Sequence, residues 1–302
     1  MSDGSVLNAL TIDVEDYFHA SALNVPALRW EACEQRVTGN TRRLLELLGS
    51  AGTKATFFVL GWVAERNPEL IREISDAGHE IGCHGYSHRL IYEQTPEEFS
   101  DETRKAKRIL EDITGDPVVG YRAASFSIVE DTRWALDVIA EQGFTYDSSI
   151  FPIVHDRYGI PSAALEPHEL TTPGGYKLIE LPPPVLTLGR QRLPVAGGGY
   201  LRLLPYVVTR WAMRRINRDG RPVIVYLHPW EIDAGQPRLR VGPVTRFRHY
   251  VNITRVERRL ERLLVEFQFE RMDALARRCG DPAAGPDARD RYHAAAAGES
   301  RQ

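Results

Sequence analysis

The chain has 302 residues, 43 % apolar and 26 % charged, which suits one large α/β domain or two small ones. A formal net charge of −3 excludes broad attraction to nucleic acid or to an anionic membrane. Three widely spaced cysteines, Cys33, Cys83 and Cys279, form neither a disulfide framework nor a thiolate zinc pattern, so a reducing compartment is the simpler reading.

The opening M-S-D-G-S-V-L-N lacks the basic stretch and apolar core of a signal or transit peptide. No apolar run approaches the roughly 20 residues that span a bilayer, so a cytoplasmic location is expected. Residues 7–14 read as a strand that ends in three acids, Asp13, Glu15 and Asp16. Leucines at 44, 45, 47 and 48 give residues 41–48 a helical stripe, closed by Gly49 and Gly52. A buried strand over 55–60 follows, then a helix over 68–77 with Pro at its start and Gly78 as its stop. A short strand, 80–83, delivers His84. A long helix, 96–113, opens at Thr95 and turns Phe99, Ala106, Leu110 and Ile113 inward. Strands over 118–122 and 144–147 flank a helix over 131–142.

Residues 151–175 are rich in Pro, Gly and polar side chains and too long for an ordinary connection. A strand over 178–181 runs into three prolines, and a glycine triplet, 197–199, precedes Tyr200 and a helix through Arg215. The strand over 223–227 delivers H-P-W-E, and an amphipathic helix over 253–267 follows. From about residue 280 a frayed tail is expected. The β-α alternation fits a parallel α/β barrel or a doubly wound sheet. Polar clusters at five separate strand ends, Asp13, His84, Arg122, Asp147 and His228, favour the barrel.

His84 and His88, in C-H-G-Y-S-H, lie four residues apart, so both rings converge if residues 85–87 take a helical turn. Two imidazoles and a carboxylate make a half-open divalent metal site with positions left for water and substrate. The pattern therefore predicts a metal-dependent hydrolase. Ser87 is a candidate support for one ring; His79 reads as structural and Cys83 as buried and inert. The cluster 13–16 offers one carboxylate as ligand and another as general base. Arg122 would hold such a base ionised and aimed. Asp147 would orient a catalytic His or Arg, or cap the next turn. His228 would act as general acid. Phe126, Tyr200, Trp230 and Phe151 are candidate sugar-stacking surfaces or packing. Arg248, His249 and Tyr250 form a polar cluster without an assigned role.

These residues resemble the polysaccharide deacetylases of carbohydrate esterase family four, the NodB-homology group, over roughly residues 7–269. T-I-D-V-E-D looks like that family's first motif and C-H-G-Y-S-H its second. Y-R-A-A-S-F looks like the arginine motif, Y-D-S-S the fourth and Y-L-H-P-W the histidine motif. The resemblance implies a distorted (β/α) barrel with an irregular middle insertion. It also implies a single catalytic domain over 1–280, extended at its C-terminal end by about 229–272. Asp13 would be the base, His84 and His88 ligands, Arg122 the partner of the base, and His228 the acid. The first motif carries Val14 within what is usually an adjacent Asp pair. The Asp-x-Asp relatives favour Glu15 as third ligand, with Asp16 the alternative. A backbone N–H around Phe126 would help hold the oxyanion. D-V-E-D-Y-F, P-V-A-G-G-G-Y and R-F-R-H-Y-V-N look like the subgroup associated with bacterial exosortase and exopolysaccharide loci.

The expected activity is Zn²⁺-dependent removal of N-acetyl groups from an amino-sugar polysaccharide or its precursor. An N-acetylated glycan is then the partner, with no nucleic acid and no membrane span. The rivals are a small-amide or ureide hydrolase on the same fold and a non-catalytic carbohydrate-binding protein.

Overall fold

The computed structural model describes residues 6–280; the expected tail, 281–302, lies outside the described residues. β1 (Asn8–Val14) is buried at every position, as a strand covered on both faces must be. It lies between β10 (Ile224–Leu227) and β2 (Thr56–Val59), parallel to both. β3 (Glu80–Cys83), β4 (Gly120–Tyr121), β5 (Tyr146–Asp147) and β7 (Lys177–Glu180) continue the parallel sheet. β6 (His168–Thr171) closes that edge antiparallel to β7, and a short strand, Phe269–Glu270, pairs with the start of β1.

The order is β10-β1-β2-β3-β4-β5-β7-β6, so the sheet curls into an incomplete barrel whose two edges do not pair. Gly82 and Gly120 let it curl around large rings: a Cβ at these positions would lie 2.6 Å from the Phe58 ring and 2.1 Å from that of Tyr146.

The crossovers form the outer layer: α1 (Val37–Ser50), α2 (Gly61–Arg66), α3 (Pro68–Asp76), α4 (Pro96–Thr114) and α5 (Ala135–Glu141). α4 starts where the sequence placed it, because Thr95 accepts the Glu98 N–H while Glu98 bonds back to the Thr95 N–H. The helix expected through Arg215 is two, α6 (Gly198–Leu203) and α7 (Tyr206–Arg218), because Pro205 cannot continue the first. α8 (Pro243–Tyr250), α9 (Val256–Glu266) and α10 (Met272–Gly280) complete the chain. Within the irregular middle the strands β8 (Val185–Leu188) and β9 (Gln191–Pro194) form a hairpin, and Gly189 takes the left-handed conformation its turn requires (φ 58°).

α10 plugs the end of the barrel where the strands begin. Met272, Leu275 and Ala276 pack on Ala9, Phe58, Tyr146, Ile179 and Ile224. The opposite end, where the strands finish, carries the site. Among the described residues no helix is long and apolar enough to cross a membrane.

Candidate active site

Asp13 ends the inward row of β1 and is 2 % exposed. Its Oδ1 accepts from Arg122 Nη1 at 2.7 Å, and the same nitrogen donates to Thr11 Oγ1 at 2.7 Å. Arg122 follows β4, donates also to Ser148 Oγ at 3.0 Å, and lies 4.2 Å over the Phe58 ring. A guanidinium fixed on three sides gives Asp13 one orientation and a permanent counter-charge.

The carbonyl of Arg122 accepts from His84 Nδ1 at 2.8 Å. That bond places the proton on Nδ1 and leaves a lone pair on Nε2. Burial holds His84 down at about 4, so it is neutral at pH 7, as a metal ligand must be. His88 sits in the left-handed region (φ 54°), which turns its ring toward that of His84, 5.3 Å away between centroids.

Glu15, His84 and His88 each offer a ligand atom, all within 4.8 Å of one another. His88 Nε2 is 3.0 Å from Glu15 Oε2, a buried oxygen with no hydrogen-bond partner. Burial alone would raise Glu15, but the charges of His88, His228 and His84 outweigh it and hold the carboxyl well below its usual range. A buried carboxylate facing two imidazoles, one with its proton turned away, is a donor set that fits a divalent cation.

His228 follows β10. Its Nε2 is 3.4 Å from Glu15 Oε1 and 3.8 Å from Asp13 Oδ2, and its Nδ1 donates to Glu231 Oε2 at 2.9 Å. Burial would lower His228, yet Glu15, Glu231 and Asp13 together raise it to about 9. Arg202 on α6 donates from Nε to Glu231 Oε1 at 2.6 Å. Burial would raise Glu231, but Arg202 and His228 hold it down at about 2. The result is a buried His228–Glu231–Arg202 chain.

Several expected roles are corrected. Asp16 does not join the metal cluster: it accepts the backbone N–H of Tyr17 at 2.9 Å, Arg36 at 2.6 Å and Val37 at 2.9 Å, so it is a turn cap. Asp147 touches neither His228 nor Arg122; it accepts from the Ser149 N–H and hydroxyl, the capping alternative. Trp230 is no sugar platform. It is 4 % exposed, with His228 stacked at 5.2 Å and His249 at 4.2 Å, and its Nε1 donates to Glu15 Oε1 at 3.2 Å. Phe126 is 7 % exposed against Phe151 and Tyr226, and its N–H donates to the Ala123 carbonyl, so neither ring nor amide is free for substrate. Ser87 bonds Glu102 rather than a ligand. Tyr200 is half-buried, its hydroxyl 3.3 Å from that of Tyr158.

Sequence reasoning missed Glu231, Arg202 and Ser21. Glu231, three residues after His228 across Pro229, carried a capping-box signal. Arg202 and Ser21 carried none. Ser21 Oγ lies 3.5 Å from His88 Nδ1 and 2.9 Å from Ser125 Oγ. The unassigned cluster now has a place: Arg248 and His249 lend their carbonyls to Arg202 Nη1, and the His249 ring backs Trp230.

Fold and site define an α/β protein with a curled half-barrel sheet and a His₂–carboxylate cluster at the C-terminal ends of its strands. Residues 24–146 match the family model described as polysaccharide deacetylase, and residues 148–277 match a domain of unknown function (DUF3473). The peptidoglycan deacetylase of Helicobacter pylori is 34 % identical over 108 residues, 36 % of this chain and 36 % of that protein. The peptidoglycan-N-acetylglucosamine deacetylase of Bacillus cereus is 27 % identical over 148 residues, 45 % of this chain and 52 % of that one. Part of this chain is therefore similar to polysaccharide deacetylases.

The chain spans between a third and about half of these relatives' length (36 % and 52 %), and Asp13 and Glu15 precede the matched residues. Among solved structures, one from Mycobacterium smegmatis shares the fold at TM-score 0.63 and 22 % identity over 92 % of both chains. Puue allantoinase does so at 0.59 and 16 % over 93 % of both. A probable polysaccharide deacetylase from Pseudomonas aeruginosa PAO1 follows at 0.56 and 18 % over 90 % of both.

Proposed function

We propose that the protein is a metal-dependent hydrolase that removes N-acetyl groups from an amino-sugar polysaccharide or its precursor. The observation that carries this reading is convergence. An arginine-held carboxylate, Asp13, and a glutamate-held imidazole, His228, stand 3.8 Å apart beside the Glu15–His84–His88 cluster.

Glu15, His84 and His88 would hold the ion, and a mixed nitrogen and oxygen donor set suits Zn²⁺. When bound, the ion supplies Lewis-acid polarisation of the acetamide and a water of lowered pKa. Asp13, aimed by Arg122, takes the proton of the attacking water. The new C–O bond forms at the acetyl carbon. His228, whose Nδ1 proton is committed to Glu231, donates from Nε2 to the sugar nitrogen as the C–N bond breaks and acetate leaves. The motifs D-V-E-D-Y-F and R-F-R-H-Y-V-N support the finer placing beside exosortase-associated deacetylases.

The test is acetate release from N-acetylated glycans and sugar precursors, with chelated protein and after adding back Zn²⁺. Release is expected to depend on the metal and to fall by roughly 10³-fold or more in Asp13→Asn, with bound metal unchanged. Silence across the panel with zinc bound would move the reading to a small-amide hydrolase or a binding protein.

A further inference from the structure

Between Asp233 and Glu257 the chain carries five arginines, 238, 240, 246, 248 and 255, and no acidic residue, in a protein whose net charge is −3. Neighbouring arginines are spent on ion pairs: Arg36 with Asp233, Arg43 with Glu257, Arg202 with Glu231. Arg238, Arg240, Arg246 and Arg248 are exposed and form no ion pair among the described residues, although Arg238 lies 4.2 Å over the Tyr250 ring and Asp156 is in the loop near Arg248. They lie in and just before α8, which borders the site on two sides. α8 packs on the Ser21–Leu23 turn that touches His88, and its His249 backs Trp230. Arg248 is close enough to the loop at His155 to act on that histidine's charge. On the same helix Val244 and Phe247 are 65 % and 59 % exposed.

We infer that this rim is a subsite for the carboxylate-bearing sugars of an anionic glycan flanking the acetamido unit that enters the site. The proposal rests on the deacetylase reading and narrows its substrate class. Guanidinium forks match carboxylates two bonds at a time, and their weak hydration makes that exchange cheap. An exposed phenylalanine among them offers the apolar face of a pyranose ring a surface that sheds water. A neutral glycan would leave the arginines nothing to meet. The low net charge of the whole chain confines the attraction to this rim.

The test compares two probes of equal length on the zinc-loaded full chain by calorimetry: a chitin oligosaccharide, and an alternating N-acetylglucosamine–glucuronate oligosaccharide. At about 50 mM salt the uronate probe is expected to bind roughly tenfold tighter, and at about 500 mM the gap should close. The paired substitution Arg246→Ala/Arg248→Ala should shrink the gap at low salt, and Arg238→Ala/Arg240→Ala offers an independent pair; unchanged melting curves certify folding. Equal affinities at low salt, or a gap that survives both pairs, overturns the proposal. So does binding to phosphatidylglycerol vesicles that both pairs abolish without any uronate preference. Acetate release is read separately: selective binding without release from either probe sinks the deacetylase reading alone, and release from both at equal affinity sinks the subsite alone.

Discussion

Glu15 and Asp16 are adjacent and chemically alike, yet the chain uses them for opposite ends. Leaving β1, Glu15 turns inward to His88 and His228, while Asp16 turns to the start of α1 and gathers three backbone N–H groups. Glu15→Gln removes the charge that complements the two imidazoles, so bound Zn²⁺ measured after dialysis should fall well below one per chain. Asp16→Asn keeps one acceptor but turns an NH₂ group against amide donors. It should cost about 1–3 kcal/mol in denaturant unfolding while zinc stays stoichiometric. The reverse pattern, metal lost with Asp16 and kept with Glu15, would exchange the two assignments. Burial and the charge of Asp233 lift Asp16 to about 6 against its three hydrogen bonds.

Among the elements, α10 does more than its sequence suggests. M-D-A-L-A-R-R-C puts Met272, Leu275, Ala276 and Cys279 at helical spacing, but so short a stripe at the end of the chain does not announce a barrel plug. The strands that lead to the site were legible because each is short, apolar and followed by a polar cluster, as with I-G-C-H and V-Y-L-H. His84, Arg122 and His228 could therefore be placed from sequence. β6 was not legible: a polar edge strand with alternating exposure looks like loop. Nor was the Arg202–Glu231 contact, which joins residues 29 apart across α7 and β10. Local patterns encode strand ends, whereas contacts between insertions appear only after folding. Met272, fully buried on Phe58, Tyr146 and Ile224, measures the plug. Met272→Ala is expected to cost about 2–5 kcal/mol by denaturant unfolding, with zinc binding intact in the folded protein. A cost below about 0.5 kcal/mol, the level of ordinary surface substitutions, would mean that α10 is not part of the core.

For the whole molecule, the plug and the barrel meet at a buried acid. Glu80 on β3 accepts from Thr56 Oγ1 at 2.5 Å, from Tyr146 Oη at 2.8 Å and from the Asp273 N–H at the start of α10 at 2.9 Å. Burial, and then the charge of Asp273, push Glu80 up to about 7 from 4.5, against those hydrogen bonds. Between these two values the folded protein retains a proton that the unfolded chain has released. Stability from this group is therefore whole below about pH 4.5, declines as pH rises, and is fully lost above about pH 7. The buried neutral histidines act in the opposite direction: His19 and His249, held near 3, and His79, held near 4, cost stability as pH falls below about 6.5. The wild-type profile mixes both, so the informative quantity is a difference. In Glu80→Gln the amide oxygen can accept from Thr56 and Asp273 while the NH₂ donates to Tyr146 Oη, which preserves the bonds and removes the titration. Unfolding free energies of the two proteins, measured from pH 4.5 to 8, should diverge in favour of the variant by up to about 3 kcal/mol at the alkaline end, the ceiling set by a shift of that size. Parallel curves would mean that the proton held at the base of the barrel is not on Glu80.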